Sequence, residues 1–262
     1  MFKIGYFQFR PLFGKPKQNC KKIIRTLEST EADLVVLPEL ALSGYYFASK
    51  DEALHFSEVP ENSSNLDSLC EFALKKNMSL VIGFSERQQD RVYNSAALIG
   101  PNGIEHIYRK IHLFYEEKFI FDEGDIPFTV NTVNGVRLGL IVCYDWAFPE
   151  SIRTLAMQGV QIICQPANLV LRYCQQTMIA RAIENRVFII TSNRYGQDKR
   201  PQGTMKFTGK SQIVAPGGEL IHRSWAQRDE IYVCNINPLD ADDKNVTKHN
   251  HLFDDRRTKF YC

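Results

Sequence analysis

The stretch VRLGLIVCYDWAFPESIRTLAMQGVQIICQPAN, residues 136–168, decides the fold class. VRLGLIVC (136–143) follows an Asn134-Gly135 turn and has the apolar content of a strand. Pro149 suits the first turn of a helix that carries Ile152, Leu155 and Ala156 on one face. QIICQ (161–165) has the short continuous character of a buried strand and is stopped by Pro166. Strand, helix, strand in this order implies parallel pairing with a helical crossover.

Downstream, the periodicity predicts a helix over 174–186 with Met178, Ala182 and Ile183 inward. Strands follow at FIITS (188–192) and SQIVA (211–215), and a Pro-Gly-Gly turn at 216–218 leads to ELIHR (219–223). The first half has the same order. KIGYFQF (3–9) is a strand, and a helix over 16–30 carries Cys20, Ile23, Ile24 and Leu27. LVVL (34–37) is a strand stopped by Pro38, and a helix over 64–77 presents Leu66, Leu69, Cys70, Ala73 and Leu74. SLVIGF (79–84) and SAALIG (95–100) precede a Pro-Asn-Gly turn and IEHIY (104–108).

The halves share letters in register. Ile24-Arg-Thr-Leu27 recurs as Ile152-Arg-Thr-Leu155, and Pro38 as Pro166. Two β-α-β-α-β-β halves, each a sheet with helices on one side, predict an α/β four-layer α-β-β-α sandwich; a doubly wound three-layer sheet is the alternative. No linker divides residues 1–262, so they are expected to form one domain. Residues 237–262 are polar but hold Leu252, Phe253, Phe260 and Tyr261. They form either a frayed tail or an extension packed on a partner subunit.

Of the 262 residues 44% are hydrophobic and 24% charged, and 32 Lys and Arg against 30 Asp and Glu leave a net charge of +2. That balance gives no footprint for nucleic acid or an anionic membrane. The N-terminus MFKIGYFQFR lacks a basic region followed by an apolar stretch, so no secretory leader is expected, and no run has the length of a membrane span. Seven scattered cysteines without a CxxC fit a reducing compartment, so the cytoplasm is the expected location. The six histidines show no HExxH, and no metal or cofactor is expected.

Three positions combine chemistry with placement. Cys143 ends a strand at a strand–turn–helix junction, a good seat for a nucleophile, although a cysteine there also serves as a small core side chain. Glu39 follows the buried strand 34–37 through Pro38, where open sheets bind ligands; the plainer reading is a loop glutamate. Lys110 lies among Ile111, Leu113, Phe114 and Tyr115, either snorkelling or held as a fixed positive charge. Glu116 and Glu117 follow it, and neighbours in an extended stretch point to opposite sides.

Taken together, LPELALSGY (37–45), YRKIHLF (108–114), GLIVCYDWAFPE (139–150) and RTLAMQGVQIICQPAN (153–168) resemble the motifs of the nitrilase, or carbon–nitrogen hydrolase, superfamily. The resemblance covers nearly the whole chain, and YRKIHLFYEEKFIFDEGD looks especially like short prokaryotic nitrilases and amidases. It implies the four-layer sandwich and a catalytic triad of Glu39, Lys110 and Cys143. It implies Glu117 as an additional glutamate, because Lys118-Phe119 follows it, and a homodimer or higher homo-oligomer paired through helices near the site. The activity implied is cleavage of a non-peptide C–N bond in a small nitrile, amide or N-carbamoyl compound through a cysteine thioester. A binding or scaffold protein on the same fold and a redox-reactive thiol protein are the rival readings.

A carboxylate at about pKa 4.3 facing a thiol at about 8.5 opposes proton transfer by roughly 5–6 kcal/mol. The site therefore requires burial and a second carboxylate to raise Glu39, with Lys110 favouring the thiolate. Tyr144, Trp146, Phe114, Phe148, Asn168 and Tyr173 lie near the motifs as pocket-lining or core residues. Arg172 is a surface arginine or a binder of a substrate carboxylate. RYGQDKRPQGTMKFTGK (194–210) is expected to be a polar loop, a lid or a long connection.

Overall fold

In the computed structural model, which describes residues 1–261, the run at 34–37 is fully buried, as a strand covered on both faces must be. The first half runs β1 (Phe2–Gln8), α1 (Pro16–Leu27), β2 (Leu34–Val36), α2 (Lys50–His55), α3 (Ser64–Lys76), β3 (Ser79–Gln88), β4 (Arg91–Gly100), β5 (Gly103–Arg109) and the one-turn α4 (Glu117–Ile120). The second half runs β6 (Val130–Val133), β7 (Val136–Leu140), α5 (Pro149–Met157), β8 (Ile162–Ala167), α6 (Cys174–Asn185) and β9 (Phe188–Asn193). It continues with β10 (Tyr195–Arg200), β11 (Gly203–Thr208), β12 (Gln212–Val214), β13 (Leu220–Arg223) and β14 (Glu230–Ile236).

Two six-stranded sheets result, ordered β14-β1-β2-β3-β4-β5 and β13-β12-β9-β8-β7-β6. Within them β1-β2-β3 and β7-β8-β9 are parallel, and the hairpin strands β4, β5 and β12, β13 close the far edges. This is the repeat expected from the sequence. Each sheet gains one antiparallel edge strand that the repeat did not show, β14 against β1 and β6 against β7.

Alternation along the strands builds the layers. Ile4, Tyr6, Leu34, Val36 and Val81 join the core that includes Leu138, Leu140, Ile162 and Ile190 of the second sheet. Phe7, Val35, Leu80 and Ile82 face Ile23, Leu27, Leu66, Leu69 and Ala73 of α1 and α3 instead. β1 packs against β9, and β3 against β8. The layers are therefore helices, sheet, sheet, helices, and the three-layer alternative does not hold.

Some assignments shift. The first helix ends at Leu27 rather than at 30. Leu74 is exposed because the buried arc of α3 takes in Phe72, which swings Leu74 to solvent. Ile183 is half exposed and lies over the Gly218 turn at the edge of the second sheet. Residues 194–210 are not an open loop: β10 and β11 pair as a separate hairpin. Its anchor is Arg194, fully buried, bonded to both oxygens of Asp198 and stacked 4.0 Å over Phe207.

Beyond β14 the chain docks at first on its own second half. Ala241 is buried, and Lys244 Nζ donates to the carbonyls of Asn185 and Arg186 at the C-terminal end of α6. Phe260 and Tyr261 are exposed. Cys262 lies outside the described residues, among which the other six cysteines are free thiols. No described helix is long and apolar enough to cross a membrane.

Candidate active site

Beyond β7 the backbone turns sharply at Cys143, whose φ is +40°. A side-chain-bearing residue is strained there by about 1–3 kcal/mol, so its surroundings must impose the turn. Asp145 does so from within a 3-10 turn at Cys143–Ala147. Its Oδ2 accepts from the Val142 N–H (2.8 Å) and the Tyr108 hydroxyl (2.8 Å). Its Oδ1 bonds His112 Nδ1 at 2.7 Å, and the His112 ring stacks 3.7 Å from Phe148. On the other side Gln165 Nε2 donates to the Cys143 carbonyl at 3.0 Å. Among the described residues the Tyr144 N–H takes no backbone partner, so it is free at the turn.

Glu39 sits on a second forced turn, with Leu40 at φ +48°. Gly83 of β3 makes this possible. A Cβ at Gly83 would lie 2.4 Å from the Glu39 Cα, so only glycine lets the strand pass. Gly83 also donates to the Pro38 carbonyl and accepts from the Ala41 N–H, which clamps the turn. Glu39 is fully buried. Its Oε1 accepts from Lys110 Nζ and Asn94 Nδ2, each at 2.7 Å, and its Oε2 has no partner.

Lys110 follows β5 and is almost wholly buried. Its ammonium lies 2.7 Å from Glu39 and 2.8 Å from Glu117 Oε2. Glu117 begins α4, where its Oε2 accepts the Phe114 N–H at 3.0 Å. The Tyr45 hydroxyl donates to Glu117 Oε1 at 2.6 Å. Behind Tyr45 stands Phe207 of the β10–β11 hairpin, edge-on at 5.7 Å. One lysine is thus held between two buried carboxylates, Glu39 oriented by one further neutral donor and Glu117 by two.

The electrostatics follow from burial. Desolvation raises the Glu39 carboxyl, and Lys110 opposes this only in part. Burial also pushes the Cys143 thiol well above its ordinary value; Glu39 adds to that, while Lys110 and the Asn168 N–H pull it down. Burial disfavours the Lys110 charge, but Glu117, Glu39 and Cys143 outweigh it and hold the ammonium above its usual value. Lys110 thus favours the thiolate without making it the resting form. Lys110 is the single positive charge among the four groups, which disfavours ionising Glu39, Glu117 and Cys143 together.

Phe114, Tyr144, Trp146 and Asn168 line the pocket at Cys143 together with Leu169, Val170 and Leu171. Its free space is 10 Å³, about one water. Tyr144 packs against Phe114, Trp146 and Phe148. Asn168 Nδ2 donates to the Glu39 carbonyl at 2.9 Å, tying the two halves together beside the thiol. Tyr173 is not brought to this pocket; it precedes α6 and is exposed. Arg172 lines a neighbouring cavity. Sequence reasoning missed Asn94, Tyr45, Asp145, His112 and Gln165. Tyr45, His112, Asp145 and Gln165 stood inside the quoted motifs, whereas Asn94 did not. Among the described residues no three of His, Cys, Asp and Glu converge as metal ligands.

Comparison with known proteins identifies the family. A family model described as carbon–nitrogen hydrolase matches residues 4–243. A nitrilase from Pyrococcus abyssi is 37% identical over 264 residues, covering 100% of this chain and 99% of its own. An (R)-stereoselective amidase from a Pseudomonas species is 32% identical, covering 94% and 89%. The crystal structure of a carbon–nitrogen hydrolase from Helicobacter pylori G27 superposes with a TM-score of 0.90 at 25% identity, covering 99% of this chain and 97% of that one.

Proposed function

This chain belongs to the carbon–nitrogen hydrolase family, acting on non-peptide C–N bonds in the nitrilase and amidase manner, and from that premise we propose that Cys143 is its nucleophile, Glu39 its general base and acid, and Lys110 its electrostatic stabiliser. The observation that carries the assignment is Lys110 held between Glu39 and Glu117 in full burial, with Cys143 on a forced turn beside them.

With an amide, Glu39 takes the Sγ proton as the thiolate attacks the carbonyl carbon, forming the S–C bond. The unpartnered Oε2 is the atom free to receive that proton. Negative charge then develops on the substrate oxygen. An ammonium has three donors, so Lys110 keeps one after bonding each carboxylate, and the Tyr144 N–H supplies another. Glu39 returns the proton to nitrogen, the C–N bond breaks and ammonia leaves. Water, deprotonated by Glu39, attacks the thioester. The S–C bond breaks, the thiol is restored and a carboxylic acid departs. Burial raises the Glu39 carboxyl, which makes its carboxylate a stronger base toward the thiol, and Lys110 and the Asn168 N–H favour the thiolate as it forms. Glu117 holds Lys110 in place and keeps it charged.

The substrates proposed are small nitriles, primary amides or N-carbamoyl compounds, the smallness supported by the narrow aromatic pocket of Phe114, Tyr144 and Trp146. The chain is also proposed to form a homodimer through the outer faces of α5 and α6, where Met157 and Ile183 are exposed, with Phe260 and Tyr261 of the extension on the partner. Sedimentation at a single-chain mass would contradict that pairing. The test of the reaction is ammonia release from a mixed panel of small nitriles, primary amides and N-carbamoyl amino acids. Release from one class that disappears in Cys143→Ala supports the assignment and chooses the substrate class; release that survives Cys143→Ala contradicts it.

A further inference from the structure

A second cavity of 510 Å³ begins where the wall of the Cys143 pocket ends. Asn168–Leu171 of the strap 168–172 line the small pocket, and Val170 and Arg172 of the same strap line the large one. The end of β11 is stitched to that strap, because the Thr208 N–H donates to the Leu169 carbonyl at 2.9 Å. Lys206, Phe207 and Thr208 then continue the wall. Gly209 and Lys210 both adopt left-handed backbone, and a Cβ at Gly209 would strike the Ala226 carbonyl at 2.2 Å. That close approach fixes Lys210 beside Ala226 and Gln227 on the far side.

The lining is one-sided in charge. It holds Arg172, Lys206, Lys210 and Arg223, with Gln175, Gln176, Thr208 and Gln227 as neutral polar groups, and no aspartate or glutamate. Among the described residues none of the four cations pairs with a carboxylate. Arg223 gives Nε and Nη2 to Gln212 Oε1, which orients the guanidinium and leaves Nη1 without a partner. The whole chain is nearly balanced, at +2, so four unneutralised cations in one cavity are a local concentration that water and mobile ions must otherwise screen.

We propose that Arg172, Lys206, Lys210 and Arg223 form an anion subsite beside the catalytic pocket, selecting substrates that carry a multiply charged oxyanion remote from the scissile C–N bond. A phosphomonoester and a pair of carboxylates share the required chemistry. The assignment of that anion to the substrate rests on the hydrolase reading above; the subsite itself does not.

Titration of inorganic phosphate, and separately of citrate, into Cys143→Ala protein at low salt tests the subsite without turnover. Binding in one arm identifies the oxyanion. It is expected to weaken roughly tenfold, equivalent to about 1.4 kcal/mol, in the added Lys206→Gln/Lys210→Gln pair, and to weaken as salt is raised. No binding in either arm, or binding indifferent to the pair, overturns the subsite. In active enzyme, kcat/KM is compared for amides of equal chain length with and without a terminal dianion. A preference for the dianion that collapses in Lys206→Gln/Lys210→Gln supports substrate selection, and a ratio unmoved by the pair overturns it. Absence of turnover across the nitriles, amides and N-carbamoyl compounds of the panel, with phosphate or citrate binding intact, removes the substrate assignment while leaving the subsite standing.

Discussion

Replacing Lys110 with methionine removes the one positive charge from a pocket that keeps two carboxylates. Met preserves the length of the stem, so the packing volume changes little. Glu39 and Glu117 lose partners at 2.7 and 2.8 Å. Stripping one member from a buried ion pair typically costs about 3–5 kcal/mol when the remaining charge stays ionised. The carboxyls escape part of that cost by holding a proton, which makes the penalty depend on pH. Glu39 already lies above its ordinary 4.5 in the native chain, and without Lys110 it must rise further. A carboxyl raised in the folded state costs nothing below its unfolded value, where both states are protonated. Above that value the folded variant binds more protons than the unfolded chain, so stability falls as pH rises, by up to about 1.4 kcal/mol per unit for one proton. Urea unfolding of Lys110→Met and the parent at pH 5, 6, 7 and 8 is therefore expected to give curves that diverge as pH rises. Their separation grows by up to about 2.7 kcal/mol between pH 5 and 7. Turnover should fall by roughly 10²–10³, the usual effect of losing one charge-stabilising donor. A penalty that is flat with pH, or one that shrinks as pH rises, would mean that Lys110 does not hold down the Glu39 carboxyl.

Three further substitutions probe the parts that hold these groups. Asp145→Asn keeps the shape but exchanges a carboxylate oxygen for a donor facing the Val142 N–H or His112, so the elbow should lose about 1–3 kcal/mol in urea unfolding and kcat should drop; parental stability and rate would remove Asp145 from that role. Gly83→Ala presses a methyl on the Glu39 Cα, and a fall in kcat exceeding any fall in stability is expected, with unchanged kinetics counting against the close approach. Tyr45→Phe deletes the donor to Glu117 Oε1, and the expected result is a lower kcat at little-changed KM, whereas a change in KM alone would place Tyr45 in substrate contact instead.

The fold was legible because each half repeats the same hydrophobic order, and order survives where boundaries do not. β2 and β8 announced themselves as continuous apolar runs, as strands buried on both faces do. β6 and β14 did not, because an edge strand buries less and its run of VNTV is half polar. The β10–β11 hairpin was hidden by charge: Asp198, Lys199, Arg200 and Lys206 look like a loop until Arg194 and Asp198 are seen pairing inside it. Within the site, Glu39 and Cys143 could be picked out at the ends of buried strands and Lys110 among apolar neighbours, while Glu117 was named through the family resemblance. The residues that aim them could not. Gln165 and Asn94 act on groups 22 and 55 residues away, Cys143 and Glu39, and Asp145 is itself held by Tyr108 and His112, 37 and 33 residues before it. Only the folded sheets bring those separations to hydrogen-bond length. Tyr173 failed for the opposite reason. It is near the motifs in sequence, but the strap leaves the pocket at Leu171 and carries it to solvent.

The claim on which all of this rests is a thioester at Cys143. It is tested most directly by rapid acid quench during turnover of whichever panel substrate releases ammonia, followed by intact-mass measurement and peptide mapping. The expected result is an added acyl mass on the peptide bearing Cys143, formed and lost at rates compatible with turnover, and absent in Cys143→Ala. Turnover with an acyl group on another residue, or undiminished ammonia release from Cys143→Ala, would contradict it.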